Sequence, residues 1–373
     1  MPELPEVETV ARDLRRLVLG ATISGATGDW PRLVRSHASV EAFAQAIVGR
    51  RVEAVGRRAK LVLIELSGHA ALTIHLKMTG QLFVVPAGTP ADRHVHLRLA
   101  LDDGRELRFR DIRKFGRVGL WPRDPVSGAV LDADAGGELF SGLGPEPLDE
   151  AFGLGSFRGR LRGRHGRLKP LLLDQGFIAG VGNIYADEAL WRARLHPLRR
   201  VALLRGPDEA RLYRAVRAVL AEAIELRGSS VDDYTAPDGD GAMQERLVVY
   251  QRAGAPCIRC GRPIRRIVVG QRATHFCSWC QRLPAADRLG ARAILATDRL
   301  PRARGRRWAE LPGEGVLGRT PGETARAEAH ARAERTRMAA ATRRAAARAG
   351  AQSPRRGDGP ATEAGSVPAT ESG

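Results

Sequence analysis

Near the start of the chain, apolar residues fall at Val7, Val10, Ala11, Leu14 and Leu17, the spacing of a helix with one buried face. Pro5 suits a first helical turn, Glu3, Glu6 and Glu8 favour a helix N-terminus, and Gly20 stands where the helix should stop. The period then changes. Arg51–Val55, Leu61–Leu66, Ala71–Leu76, Leu82–Val85, Val95–Leu101 and Glu106–Arg110 are short apolar-alternating runs punctuated by Gly, Pro and Asp. They predict a β-sandwich or barrel over residues 1–125. Residues 126–150 are loop-rich and predict a linker. Helical spacing returns over 151–245, with a short helix at Lys169–Gln175 and another beginning over Ala186–Arg194. A longer helix at Pro207–Arg227 carries Leu212, Ala215, Val216, Val219, Ala223 and Leu226 on one stripe. Within 246–282, apolar residues alternate around Gly270 as in a β-hairpin. Residues 283–373 are rich in Ala, Arg, Gly, Glu and Pro, with almost no large apolar residue after Leu317. That composition predicts a largely disordered extension with transient helix near Thr324–Ala349. The expected class is α+β, multidomain.

Charge narrows the function. The 373 residues carry a formal charge of +18, the signature of a polyanion binder, most often nucleic acid. The extension holds 17 arginines against 10 acids, so the first 282 residues still carry +11 and are basic in their own right. Only four of the 60 basic residues are lysines: Lys60, Lys77, Lys114 and Lys169. In a chain that uses arginine almost everywhere, each lysine marks a place where a compact, titratable ammonium could be needed. No apolar run approaches the roughly 20 residues of a membrane span, and no basic-then-apolar leader is present. The expected location is the cytoplasm.

The four cysteines form two Cys-x2-Cys pairs, Cys257/Cys260 and Cys277/Cys280, separated by sixteen residues. This spacing fits a closed, tetrahedral, structural Zn2+ site; disulfides are disfavoured in a cytoplasmic protein. The finger between the pairs is too short to bury a core of its own, and the metal would replace one.

Pro2 and Glu3 carry the candidate chemistry. Removal of Met1 would leave a secondary amine that can attack an aldehyde-like carbon and form an iminium ion. A free α-amino group titrates at roughly 7.7–8.0, so a useful share is neutral at cellular pH. Glu3 would set a carboxylate beside it for proton transfer.

The opening Met1-Pro2-Glu3-Leu4-Pro5-Glu6-Val7-Glu8-Thr9-Val10 resembles that of the bacterial formamidopyrimidine-DNA glycosylases, the 8-oxoguanine repair enzymes of the Fpg/Nei family. Gly142–Leu148 resembles the family segment that enters the helical domain, and Gly180-Val181-Gly182-Asn183-Ile184-Tyr185-Ala186-Asp187-Glu188 resembles its helix–two-turns–helix core. There the glycines would let backbone approach DNA, and the new helix would offer free N–H groups to a phosphate, with Asn183 adding its amide. The likeness spans about residues 1–282.

The resemblance implies a bifunctional DNA glycosylase/AP lyase of base excision repair that acts as a monomer on damaged double-stranded DNA. Pro2 would be the nucleophile and Glu3 its proton-transfer partner. Lys60, in Arg57-Arg58-Ala59-Lys60, matches a phosphate-binding proton donor of β-elimination. Arg272, in Gln271-Arg272-Ala273-Thr274, matches the finger-tip arginine assigned to the second elimination. Arginine is effectively always protonated, so phosphate clamping suits it better than proton donation. Met78 would fill the void left by a flipped nucleotide, Arg113 would pair with the orphaned cytosine, and Phe115 would wedge into the stack. His75, His94, Arg164 and Lys169 match family DNA contacts, with Arg164 standing where a lysine is common. Gly228–Met243 resembles the mobile loop that caps the base. Ile112 and Lys114 depart from a common proline and arginine beside the intercalating residues. A Nei-like enzyme for oxidised pyrimidines and a non-catalytic zinc-dependent DNA-binding protein are the competing readings.

Overall fold

The computed structural model describes residues 2–132, 135–229 and 241–298. Met1, most of the Gly228–Met243 segment expected to cap the base and the extension beyond residue 298 lie outside the described residues, and so does the helix expected near Thr324–Ala349.

The chain opens with α1 (Leu4–Val18), followed by β1 (Ile23–Gly28), α2 (Val40–Ile47), β2 (Val52–Arg58), β3 (Leu61–Leu66), β4 (Ala70–His75), β5 (Gly80–Pro86), β6 (Val95–Leu101), β7 (Arg105–Asp111) and β8 (Arg117–Pro122). The strands form two antiparallel four-stranded sheets, ordered β1-β6-β7-β5 and β2-β3-β4-β8. One core fills the space between them, with Val7, Val10, Leu14 and Val18 of α1 packing against residues such as Ile64, Leu72, Leu99 and Phe109. This is the sandwich that the alternation predicts. The sequence pattern did not reveal β1, α2 or β8. β1 reads Ile-Ser-Gly-Ala-Thr-Gly, with too few apolar residues to mark a face, and the eight residues of α2 cover barely two turns.

A small ribbon, β9 (Leu131–Asp132) with β10 (Gly137–Glu138), lies in the linker. The helical domain follows: α3 (Leu154–Leu161), α4 (Leu168–Leu173), α5 (Asn183–Arg192) and α6 (Gly206–Glu225). Its core gathers Phe157, Phe177, Tyr185, Leu190, Leu212 and Val219, and it also takes Leu4. α1 therefore belongs to both domains. Its first residue is fixed among the helices while its body packs in the sandwich, and the Leu4 N–H donates to the Gly180 carbonyl at 3.1 Å.

The finger is a two-stranded hairpin, β11 (Arg265–Val269) and β12 (Arg272–Phe276). Val269 pairs with Arg272 across a two-residue turn in which Gly270 and Gln271 both take positive φ, 53° and 61°. Such a turn matches the twist of the flanking strands.

The ordered chain continues past the expected boundary at 283. Residues 285–288 and 292–295 form two single-turn helices, α7 (Ala285–Arg288), bonded to Arg167 and Arg200 of the helical domain, and α8 (Arg292–Leu295), packed on the hairpin. Composition concealed them because a few apolar residues, Leu283, Ile294 and Leu295, suffice when the surface they cover is already built. No helix among the described residues is long and apolar enough to cross a membrane.

Candidate active site and nucleic-acid interface

The site is assembled where α1 begins. Pro2 is buried, and Glu3 is 2% exposed. The Glu3 carboxylate lies at the N-terminus of α5, accepting from the backbone N–H groups of Gly182 at 2.8 Å, Ile184 at 2.9 Å and Tyr185 at 3.4 Å. Unsatisfied N–H groups and the helix dipole favour a negative charge there. Burial nevertheless raises the Glu3 pKa, with Lys60 opposing the rise and Glu6 adding to it. A carboxylate balanced in this way is suited to holding and releasing a proton.

This geometry corrects the reading of the Gly-x-Gly segment. The free N–H groups of α5 are given to Glu3 rather than left open to a phosphate. The glycines make room for α1: a Cβ on Gly182 would lie 2.3 Å from Glu3 Cδ, and one on Gly180, at φ 83°, would lie 2.6 Å from Leu4 Cδ1. Asn183 is half-buried at the helix start, and its Oδ1 has no hydrogen-bond partner within the protein.

Glu6 is the acid that sequence reasoning undervalued. It accepts from the Glu3 N–H at 2.8 Å, from the Tyr185 hydroxyl at 2.5 Å and from the Ser229 N–H at 2.8 Å. It ties the residue behind Pro2 to α5 and to Ser229, at the start of the Gly228–Met243 segment. The only signal was the three-residue spacing of the two acids, which alone reads as an ordinary first turn.

Lys60 sits in the two-residue turn between β2 and β3, beside Ala59 at φ 52°. It is 8% exposed. Burial lowers its pKa, against the pull of Glu3 and Glu6, and Arg272 and Lys77 lower it further. Lys60 thus lies within electrostatic reach of both Glu3 and Arg272, although the three come from separate parts of the chain. The linker holds this turn: Glu146 accepts from the Ala59 N–H at 2.7 Å, from Arg58 at 2.8 Å and from Arg57 at 2.7 Å. Arg272 itself is exposed at the hairpin tip.

Lys169 departs from its expected place among the DNA contacts. It is fully buried, pairs with Asp187 of α5 at 2.6 Å and donates to the Ala273 carbonyl at 2.9 Å. It ties α4, α5 and the hairpin together and offers no charge to solvent. Asp187 also accepts from the His275 N–H at 2.8 Å, and its neighbour Glu188 accepts from Val249 and Tyr250, each at 2.9 Å. Two acids on one turn of α5 therefore moor the finger.

A second cluster gathers Met78, Arg113 and Phe115. The Arg113 guanidinium lies 4.8 Å from the centre of the Phe115 ring and donates to Met78 Sδ at 3.6 Å. Phe115 is 46% exposed, and its neighbour Ile112 is 47% exposed. The buried carboxylate of Asp111 shapes the loop, accepting from the N–H groups of Arg113 at 3.2 Å, Phe115 at 2.8 Å and Gly116 at 2.7 Å. His75 is held neutral, its pKa pushed down to about 3 by burial and then by nearby cations. Its Nδ1 accepts from the Lys77 N–H at 3.0 Å, so its proton belongs on Nε2. His94 is half-exposed, and its Nε2 takes a bond from Arg93 at 3.3 Å. Arg164 stands exposed between α3 and α4, 3.6 Å from Asp174.

The four cysteine sulfurs lie within 4.8 Å of one another, with Cys257 and Cys280 3.9 Å apart and Cys260 and Cys277 3.5 Å apart. Tetrahedral zinc with bonds of about 2.3 Å places its sulfurs roughly 3.8 Å from each other, so the donor set fits one closed structural zinc ion.

The chain matches the formamidopyrimidine-DNA glycosylase N-terminal domain over residues 1–118, the formamidopyrimidine-DNA glycosylase H2TH domain over 143–235 and the zinc finger found in FPG and IleRS over 254–283. It is 50% identical over 283 residues to the formamidopyrimidine-DNA glycosylase of Herpetosiphon aurantiacus, covering 75% of this chain and all of the relative. Identity to the Chloroflexus aurantiacus enzyme is also 50% over 283 residues, 75% of this chain and 98% of the relative. The solved MutM (Fpg) protein of Thermus thermophilus is 46% identical, with a TM-score of 0.64 over 75% of this chain and 98% of that one. Wild-type Lactococcus lactis Fpg, solved with DNA containing N7-benzyl-Fapy-dG, is 35% identical, with a TM-score of 0.69 over 76% and 100%. With its domains, its zinc ligands and its full-length relatives in agreement, this chain belongs to the formamidopyrimidine-DNA glycosylase family.

Proposed function

We propose that the protein excises oxidised purines, formamidopyrimidines and 8-oxoguanine, from duplex DNA and then cuts the strand at the resulting abasic site. The observation that carries this reading is the Glu3 carboxylate, buried at the start of α5 directly beside Pro2 and opposed by Lys60. With Met1 removed, the Pro2 nitrogen attacks the sugar carbon as the base departs with its bonding electrons and takes up a proton. Glu3 relays a proton to the ring oxygen, which opens the sugar and leaves an iminium ion on Pro2. The iminium makes the adjacent C–H acidic, so loss of that proton expels the 3′ phosphate, and a second elimination expels the 5′ phosphate. Water then adds to the iminium carbon, and the Pro2 nitrogen leaves as the amine, which frees the enzyme.

The roles divide by exposure. Lys60, with its burial-lowered pKa, serves proton transfer close to the sugar. Arg272, exposed and always charged, clamps phosphate and steadies the second elimination. Met78, Arg113 and Phe115 occupy the space vacated by the flipped nucleotide, and His75 donates one hydrogen bond from a neutral ring. His94, Arg164 and Asn183 complete the backbone contacts, with affinity that falls as salt rises. The protein acts on the duplex as a monomer. Gly228–Met243, largely outside the described residues, is proposed to cover the flipped base.

Single-turnover assays on duplexes carrying 8-oxoguanine opposite cytosine, or thymine glycol, test the proposal. Native protein is expected to release 8-oxoguanine and nick the strand, and Glu3→Gln to do neither. Preference for thymine glycol, or undiminished nicking by Glu3→Gln, would contradict it.

A further inference from the structure

The finger match ends at residue 283, and curated relatives aligned over 283 residues are covered to 98–100% of their own length. Residues 285–298 therefore lie beyond what those relatives share, yet they are folded onto the finger. The contact is extensive for so short a segment. Ala291 is fully buried, and Leu283, Ile294 and Leu295 pack against Ile267, Val269 and Phe276 of the hairpin and Leu198 of the helical domain.

Polar bonds run to both partners. Towards the helical domain, Asp287 is fully buried and its Oδ1 accepts from the Arg200 N–H at 3.1 Å and Nε at 3.2 Å. The carbonyls of Ala286, Asp287 and Leu289 accept from Arg200 at 2.8 Å, Arg167 at 2.8 Å and Arg167 at 2.9 Å. Towards the finger, Thr297 Oγ1 accepts from the Val268 N–H at 2.9 Å and Asp298 accepts from Arg265 Nε at 2.6 Å. Among the described residues β11 has no further strand on its outer side, so Thr297 covers an amide of an open edge.

We propose that residues 285–298 are an intramolecular brace. It fastens the outer strand of the zinc hairpin to the helical domain, independently of the Lys169–Asp187 tie on the inner strand. The brace shares the work that zinc does alone in a free-standing finger. Local opening of the hairpin, through which a chelator reaches the metal, then requires the brace to detach first. It also holds the hairpin tip, and with it Arg272, against the catalytic centre.

The test uses the zinc-loaded full-length protein. Zinc release to excess chelator is followed with a chromogenic indicator, alongside amide exchange at Val268 and Val269. Thr297→Val, nearly isosteric, removes the edge acceptor; Ala291→Asp puts a carboxylate into the apolar seam. Ala291→Asp is expected to speed both processes about tenfold and Thr297→Val severalfold. A chain ending at residue 298 is expected to match the full-length protein, and one ending at 283 to match or exceed Ala291→Asp. Unchanged release and exchange in both point variants would overturn the brace, and so would a 298-residue chain that releases zinc as fast as the 283-residue one. A cleavage readout completes the test: the ratio of doubly to singly eliminated product is expected to fall in Ala291→Asp. That ratio rests on the role proposed for Arg272, whereas zinc release does not, so failure of the two claims is distinguishable.

Discussion

Glu3 and Asp111 solve the same physical problem for opposite ends. Each is a carboxylate with almost no exposure, and each collects three backbone N–H groups. Around Glu3 the donors come from a helix some 180 residues away, and the acid itself is the group proposed to transfer a proton. Around Asp111 the donors come from the next five residues, and the acid is scaffold that presents Arg113 and Phe115 outward. Sugar chemistry needs a group whose proton affinity is set by burial, whereas invasion of a base stack needs groups held ready at the surface.

Changes at the two acids can be ranked. Gly182→Ala should have the largest effect, because the added Cβ displaces the Glu3 carboxylate: single-turnover excision is expected to fall about 100-fold with duplex affinity largely kept. A loss of affinity equal to the loss of rate would remove the distinction between the two ends. Asp111→Ala should do the reverse. It leaves buried N–H groups unpaired and is expected to cost about 2 kcal/mol in both stability and duplex binding. Urea unfolding and fluorescence anisotropy would measure the two costs.

His75 gives a pH signature of intermediate size. Its folded pKa of about 3 lies below its ordinary 6.5, so between those values the unfolded chain holds a proton that the folded chain refuses. The contribution of neutral His75 is complete above pH 6.5 and is lost as pH falls, by up to about 1.4 kcal/mol per pH unit. His75→Gln should flatten the stability profile between pH 4 and 6.5, as read by urea midpoints; an unaltered slope would place the proton elsewhere. Phe115→Ala should cost least, about 1 kcal/mol of binding to lesion duplex, with little change in thermal stability.

Much of this was legible in the residues. The helical period of α1, the strand alternation and the cysteine spacing are local patterns, and they located that helix, the sandwich and the finger; the Pro2–Glu3 pair was read from the chemistry of an N-terminal amine and from the resemblance of the opening residues. Glu6, Asp111, Glu146 and the mooring pair Asp187/Glu188 were not read as site-builders. Asp111 takes its backbone donors only from the next five residues, but the bonds of the other four acids to Ser229, Ala59, His275 and Tyr250 span tens to hundreds of residues, and no period records such partners. Lys169 shows the opposite error: a lysine in an arginine-rich chain does mark a special place, but the place is a buried ion pair. α7 and α8 escaped notice because single-turn helices have no periodicity and depend on the surface they cover.

The central claim is that the residue behind Met1 carries the sugar during catalysis. Borohydride reduction during turnover on an 8-oxoguanine duplex, followed by proteolysis and mass spectrometry, tests it directly. The account predicts a nucleotide remnant on the peptide that begins at Pro2, and none on peptides containing Lys60 or Lys169. A remnant on a lysine, or an adduct-free N-terminal peptide that still carries Met1, would contradict it.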